Sequence, residues 1–272
     1  MTDPRPPPGK DSAAAHRYAP GLLFSIARSD SRAGIGIGTE LPFRGTDVWN
    51  AWELTWLGVG DRPSVATAEI RVPADSPQLI ESRSLKLYLN SFAMSQFDNA
   101  DHVADTVAAD LASCAGAPVA VRIALVADTE NQSITRLAGR CLDALSVTCC
   151  NWEVDAGLLQ ADDTDIVEEA LHTHLLRSLC PVTSQPDSGS LQICYRGPRI
   201  APESLLQYVV SFRQHQDFHE ACVERMFIDI LQRCKTDRLS IYARYQRRGG
   251  IDINPFRSNH EDCPGNLRLW RQ

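Results

Sequence analysis

Two side chains seven residues apart, Cys180 and Asp187, lie in the stretch LCPVTSQPDSGSLQICY that runs from Leu179 to Tyr195. An ionised thiol is a strong, soft nucleophile, and a neighbouring carboxyl can handle the proton of whatever the sulfur attacks. Cys180 ends a strand-like run, and Pro181 after it stops the ladder. Asp187 is expected inside a Pro-Asp-Ser-Gly turn that leads into the next strand, so the loop can fold back and bring carboxyl to thiol. A buried cysteine beside a turn aspartate fits the same spacing, and both readings stay open.

Phe218-His219-Glu220 form a second constellation, entering a helix that carries Cys222. Adjacent helical residues diverge by about 100°, but at a helix N-terminus both side chains can reach a pocket at its mouth. A carboxylate there would receive two N–H donors of a purine-like edge. A capping histidine and a carboxylate that complements the helix dipole explain the pair equally well. The segment ESRSLKLY, Glu81 to Tyr88, sets Arg83 and Lys86 among serine hydroxyls, either as a phosphate site or as a capped, solvated helix start. Arg247-Arg248-Gly249-Gly250 follows a strand, where glycines allow close backbone approach and arginines match phosphate oxygens. No GxGxxG or Walker loop occurs, so a nucleotide would be bound without those folds.

The elements that must position these groups come in two similar sets. LKLYLNSF (85–92) and LLQYVVSF (205–212) align Tyr88, Ser91 and Phe92 with Tyr208, Ser211 and Phe212 at a constant offset of 120, and Gln96 and Gln216 keep the register. Each is followed by residues at helical spacing: Val103, Val107 and Leu111 in the first copy, Cys222, Met226, Phe227, Ile230, Leu231 and Cys234 in the second. Strand-like segments at 65–73 and 119–126 flank the first copy; those at 167–179, 191–195 and 239–245 flank the second. The expected class is α+β, with antiparallel sheets and helices on one face. The divisions expected are a flexible arm over 1–20, a first module over 21–155 and a second over 156–272.

Composition bounds the setting. A 272-residue chain with 43% hydrophobic and 22% charged residues suits an ordinary globular protein. The net charge of −7 argues against a general nucleic-acid binder. No run of about 18 apolar residues exists to span a membrane, and no signal sequence is legible at the start, so a cytoplasmic protein is expected. The nine cysteines are odd in number and contain no CxxC pair, which disfavours a disulfide framework and a paired-cysteine zinc site. His172 and His174, two apart on a strand, point to one face and are taken as ordinary residues; no metal site is expected.

Together, ESRSLKLYLNSF (81–92), CPVTSQPDSGSL (180–191), FHEACVERM (218–226) and YQRRGGIDINPFRS (245–258) resemble the NADPH-dependent 7-cyano-7-deazaguanine reductases, the nitrile reductases of queuosine biosynthesis. The likeness runs from about Leu22 to the C-terminus and is to the two-module branch. It implies two tandem tunnelling-fold modules. It implies that Cys180 adds to the nitrile carbon to give a covalent thioimide, and that Asp187 protonates the nitrile nitrogen. Two NADPH then yield the aminomethyl product. It further implies that Ile80, Glu81, Ser82, Phe218 and Glu220 hold the deazaguanine, that His219 lines the pocket and assists proton transfer, and that Ser82, Arg83, Arg248 and Gly249 line the NADPH site. A homodimer is implied, without nucleic-acid or membrane partners. The family pattern often has lysine at Arg83 and an aromatic at Ser188, so those two positions depart from it. A zinc-dependent cyclohydrolase on the same fold and a purine- or pterin-binding module without activity are the rival readings.

Overall fold

The computed structural model describes residues 17–129 and 133–272. Its elements, in chain order, are β1 (Ser25–Ala27), α1 (Arg28–Gly34), β2 (Arg44–Leu57), β3 (Pro63–Pro73), β4 (Gln78–Ile80), α2 (Ser82–Asn90), α3 (Ala100–Ala115), β5 (Ala120–Leu125), α4 (Val126–Thr129), β6 (Arg140–Cys141), β7 (Ala161–Leu179), β8 (Pro186–Ile200), α5 (Pro202–Ser211), α6 (His219–Arg233), β9 (Arg238–Tyr245) and β10 (Ile251–Ser258). The class is α+β. Eight strands make one sheet in the order β5-β3-β2-β10-β9-β8-β7-β6, antiparallel except where β6 meets β7. Strands β1 and β4 form a separate two-stranded ribbon.

The sheet is continuous across the middle of the chain. β10 pairs with β2 along its whole length, from Ile251 opposite Ala51 to Ser258 opposite Arg44. That pairing covers what would be two open sheet edges. Neither strand was expected from the sequence. β10 carries Pro255, which ordinarily argues against a central strand, and β2 mixes tryptophans with charged residues without clean alternation.

Helices cover one face in two groups. Val103, Val107 and Leu111 of α3 and Leu85 and Tyr88 of α2 pack on Ala68, Ile70 and Trp49, joined by Ile251 and Ile253 of β10. Leu205 and Tyr208 of α5 and Met226, Phe227 and Ile230 of α6 pack on Leu191, Ile193, Ile241 and Ala243. The helix termini are set locally: Asn99 caps α3 through a hydrogen bond from His102 N, and Gly116 ends it at φ 70°.

The expected repeat recurs in hydrogen bonds. Ser91 Oγ donates to Tyr88 O at 2.6 Å and Ser211 Oγ donates to Tyr208 O at 2.6 Å. Tyr88 donates to Asp110 on α3, and Tyr208 to Asp229 on α6. Gln96 and Gln216 each sit beside a strand end, opposite Leu57 and Leu179 respectively.

Most of the arm expected over 1–20 lies outside the described residues. Its last part is held in place: Tyr18 donates to Asp110 at 2.7 Å and packs edge-on against Phe92.

The face opposite the helices carries polar side chains, and the C-terminal tail lies over it. Arg244, fully buried, donates to Gln272 Oε1 and Asn266 Oδ1, and Gln272 Nε2 donates to Asn254 Oδ1. These partners satisfy groups that would otherwise be buried unpaired.

Candidate active site

The hairpin β7–β8 brings the thiol and the carboxyl together. The turn is placed differently from expectation: it comprises Pro181 to Gln185, and Asp187 already lies in β8, opposite Ser178. Cys180 sits one residue past β7, with its N–H donating to Gln185 O at 2.9 Å. The two side chains therefore flank one hairpin end, and they line one cleft with Ile80, Ser82, Lys86, Phe218, His219, Glu220 and Arg248.

Cys180 is only 8% exposed. Burial alone would raise its pKa. The hydroxyl of Thr183, the backbone N–H groups of Thr183 and Val182 and the Arg248 guanidinium outweigh it and hold the thiol below its ordinary value. A proline-led turn that aims successive amides at one sulfur stabilises a thiolate.

Asp187 is also buried, which would raise its pKa, yet its value is lowered by hydrogen bonding and charge from His219, then by Arg248 and Lys86. His219 Nε2 lies 3.2 Å from its Oδ2, and Arg248 Nη1 lies 3.3 Å from its Oδ1. The imidazole is held flat against Tyr245, with ring centroids 3.8 Å apart and planes 4° apart. Asp187 at rest is thus an ionised acceptor between two donors.

Glu220 lies in the first turn of α6 and is 3% exposed. Desolvation, helped by the negative charge of Asp47, pushes its pKa up to about 8. No side chain caps the N-terminus of α6. Glu224, one turn further along, is clamped by Arg32 at 2.7 Å and Arg257 at 2.8 Å. Arg257 also holds Asp47 at 2.7 Å, and Arg28 reaches the same carboxylate at 2.6 Å. All five side chains are nearly or fully buried. This network ties α1, β2, β10 and α6 together.

Other expected residues are placed less directly. Both carboxylate oxygens of Glu81 cap α2, accepting from Arg83 N at 2.9 Å and Ser84 N at 2.7 Å, and Glu81 does not line the cleft. Arg83 is exposed and also outside the lining. Gly249 lies against the Lys86 stem rather than in the lining: its φ of +63° favours glycine, and a Cβ there would come 3.1 Å from Lys86 Cε. Sequence reasoning did not find Trp49, Asp217, Gln246 and Asp252, which complete the cleft. The Trp49 indole N–H is buried without a hydrogen-bond partner among the described residues. Gln246 and Asp252 lie within the YQRRGGIDINPFRS segment without a role read for them, and no local pattern marks Trp49 or Asp217, because β2 and the segment before α6 meet the hairpin only in the fold.

The same wall offers groups for a phosphate-bearing nucleotide. Glu81 occupies the first amides of α2, so an anion there must be met by side chains. Lys86 and Arg248 face the cleft with the Ser82 hydroxyl, and Arg83 stands beside them on the surface. A cationic, hydroxyl-bearing rim of this kind suits phosphate groups.

Comparison with known proteins adds the following. Residues 14–123 match the family described as nitrile reductase, 7-cyano-7-deazaguanine-reductase N-term, and residues 186–263 match QueF-like protein. The chain is 48% identical to the NADPH-dependent 7-cyano-7-deazaguanine reductase of Paraburkholderia phytofirmans, and 49% identical to the protein of that name from Burkholderia multivorans. Both alignments cover 100% of each chain. A crystal structure of the archaeosine synthase QueF-Like in the apo form matches at 18% identity and TM-score 0.31, covering 36% of this chain and 96% of that one, too distant to bear on the fold.

Proposed function

Because the chain belongs to the 7-cyano-7-deazaguanine reductase family, we propose that it reduces the nitrile of 7-cyano-7-deazaguanine to the primary amine with NADPH, in the route to tRNA queuosine. The observation that carries this reading is a thiol of lowered pKa and an ionised carboxylate sharing one cleft.

Cys180 sulfur attacks the nitrile carbon. The thiol proton passes to Asp187 and on to the nitrile nitrogen, so S–H adds across the C≡N bond and the product is a neutral thioimide. Asp187 suits this shuttle because it is ionised at rest and its donors, His219 and Arg248, are fixed. NADPH bound at this rim would supply the hydride for each of two reductions, with one proton taken up from solvent at each. Between them the C–S bond must break, and the sulfur leaves as the thiolate that Thr183, Val182 and Arg248 stabilise. Glu220, its proton released to solvent on binding, accepts the N–H donors of the base. Ser82, Lys86, Arg248 and, from the rim, Arg83 meet the nucleotide phosphates.

We further read the two helix-backed halves of the sheet as tandem tunnelling-fold modules, divided near residue 155 with β10 crossing to the first. We place the protein in the cytosol as a homodimer. Strand β5 leaves one sheet edge open, which a second copy can cover.

The test mixes the protein with 7-cyano-7-deazaguanine without NADPH. One nitrile mass is gained per chain and a thioimide absorbance appears, both absent in Cys180→Ala. Adding NADPH then consumes two equivalents per product. An adduct that survives in Cys180→Ala would refute the mechanism.

A further inference from the structure

The polar face of the sheet carries a second cluster of chemically capable side chains. Cys141 on β6 and His172 and His174 on β7 each offer one ligand atom, and these three atoms lie within 4.8 Å of one another. None of them lines the cleft that holds Cys180. His172 and His174 alternate with Leu171 and Thr173, so both project from the face opposite the helices. The parallel bridge from Cys141 to His172 adds the thiol beside them.

The surroundings prepare the imidazoles as ligands. His172 Nδ1 lies 3.2 Å from Ala138 O, and because a carbonyl only accepts, Nδ1 carries the proton and Nε2 keeps a free lone pair. His174 Nδ1 meets Ser190 Oγ at 2.7 Å, which orients that ring. Such outer contacts fix tautomer and direction in metal-bound histidines. Asp143 holds the strand behind, accepting from Thr173 Oγ1 at 2.5 Å and from His174 N at 3.1 Å.

From this geometry we propose that Cys141, His172 and His174 bind a divalent transition metal of the zinc class. One thiolate and two imidazoles are a borderline-soft donor set, and metal–ligand bonds of about 2.0–2.3 Å fit within the cluster after small side-chain rotations. Cys141 is exposed, and the fourth position faces solvent and takes water. The metal fastens β6, only two residues long, to the edge of the sheet. It takes no part in nitrile reduction.

The test strips the full-length protein with a chelator and titrates zinc against a chromophoric competitor. One equivalent per chain binds tightly. Cobalt in its place shows a thiolate-to-metal charge-transfer band. Both signals are lost in Cys141→Ala, whose exposed side chain can go without disturbing the core, and Ser190→Ala weakens zinc binding about tenfold. Nitrile reduction and far-UV circular dichroism stay unchanged in Cys141→Ala. Absence of stoichiometric binding by the unaltered protein, or a cobalt band that persists in Cys141→Ala, overturns the proposal. Either result leaves the assignment of Cys180 untouched.

Discussion

The two halves of the sheet share a frame but not a chemistry. In both, a strand-end leucine bonds the chain after the first helix in the same way: Leu57 N donates to Ser95 O at 2.9 Å, and Leu179 N to His215 O at 2.8 Å. The next residue closes the hairpin, as Gly58 N does to Arg62 O and Cys180 N to Gln185 O. Gly58 is therefore the counterpart of Cys180. Ser64, opposite Trp56, is the counterpart of Asp187, opposite Ser178. At the start of the second helix of each half, Asn99 and Ala100 stand where Phe218 and His219 stand. The exchange also runs the other way. Glu81 and Ser82 open α2, while Ala201 and Pro202 open α5. One half keeps the reacting groups with Arg248, and the other keeps Ser82, Arg83 and Lys86 of the rim, so neither holds a complete cleft. A shared frame is a matter of packing and hydrogen bonding; a site needs only a few positions of it.

The sharpest way to break this comparison is to put the chemistry back. Gly58→Cys with Ser64→Asp gains no second nitrile adduct, because Ala100 stands in place of His219 and the counterpart of Glu220, Asp101, is exposed; two adducts per chain by mass spectrometry would undo the argument. Asp187→Asn keeps the hairpin but loses the proton shuttle, lowering kcat by about 10²–10⁴-fold, measured by NADPH oxidation at saturating substrate. Arg257→Met, at the seam between the halves, leaves Asp47 and Glu224 short of a partner and costs about 3–5 kcal/mol in urea unfolding. Glu220→Gln tests the asymmetric burial of one carboxylate. Its folded pKa of about 8 exceeds the unfolded value of 4.5, so its contribution is whole below 4.5 and is lost as pH rises toward 8. The unliganded protein then loses up to about 1.4 kcal/mol per pH unit across that window relative to Glu220→Gln. The smallest effect separates the repeated tyrosines. Tyr208→Phe leaves Asp229 without its phenol and costs about 1 kcal/mol. Tyr88→Phe costs less, since Tyr18 still donates to Asp110.

Much of the frame was legible because it is local. The Tyr-x-x-Ser-Phe repeat marks a helix end whose serine bonds back three residues, and that needs no distant partner. The helical spacing of Val103, Val107 and Leu111 likewise marks a buried face before any fold is known. The missed elements depend on distant partners. β10 carries Asp252, Asn254 and Arg257 in a fully buried strand, which is tolerable only because Asn50, Gln272, Glu224 and Asp47 satisfy them. The turn was misplaced by a few residues because Pro-Asp-Ser-Gly is turn-like in composition, whereas the ladder to Ser178 and Leu179 holds Pro186 and Asp187 in β8.

The sequence by itself determined which side chains were available: one thiol at a strand end, a carboxyl seven residues on, an acid at a helix mouth, and glycines in a basic turn. It also determined the helical faces and the internal repeat, since periodicity and short-range hydrogen bonding act over a few residues. Only the tertiary structure decided their states. Cys180 is acidified by the Thr183 hydroxyl and the turn amides of Thr183 and Val182, with Arg248 adding to them, Asp187 is held ionised by His219, and Glu220 is kept protonated by burial near Asp47. Cys141 reached His172 and His174 in the same way. Ionisation and ligation depend on desolvation and on charges within a few ångströms, and apart from the turn beside Cys180 those neighbours come from distant parts of the sequence.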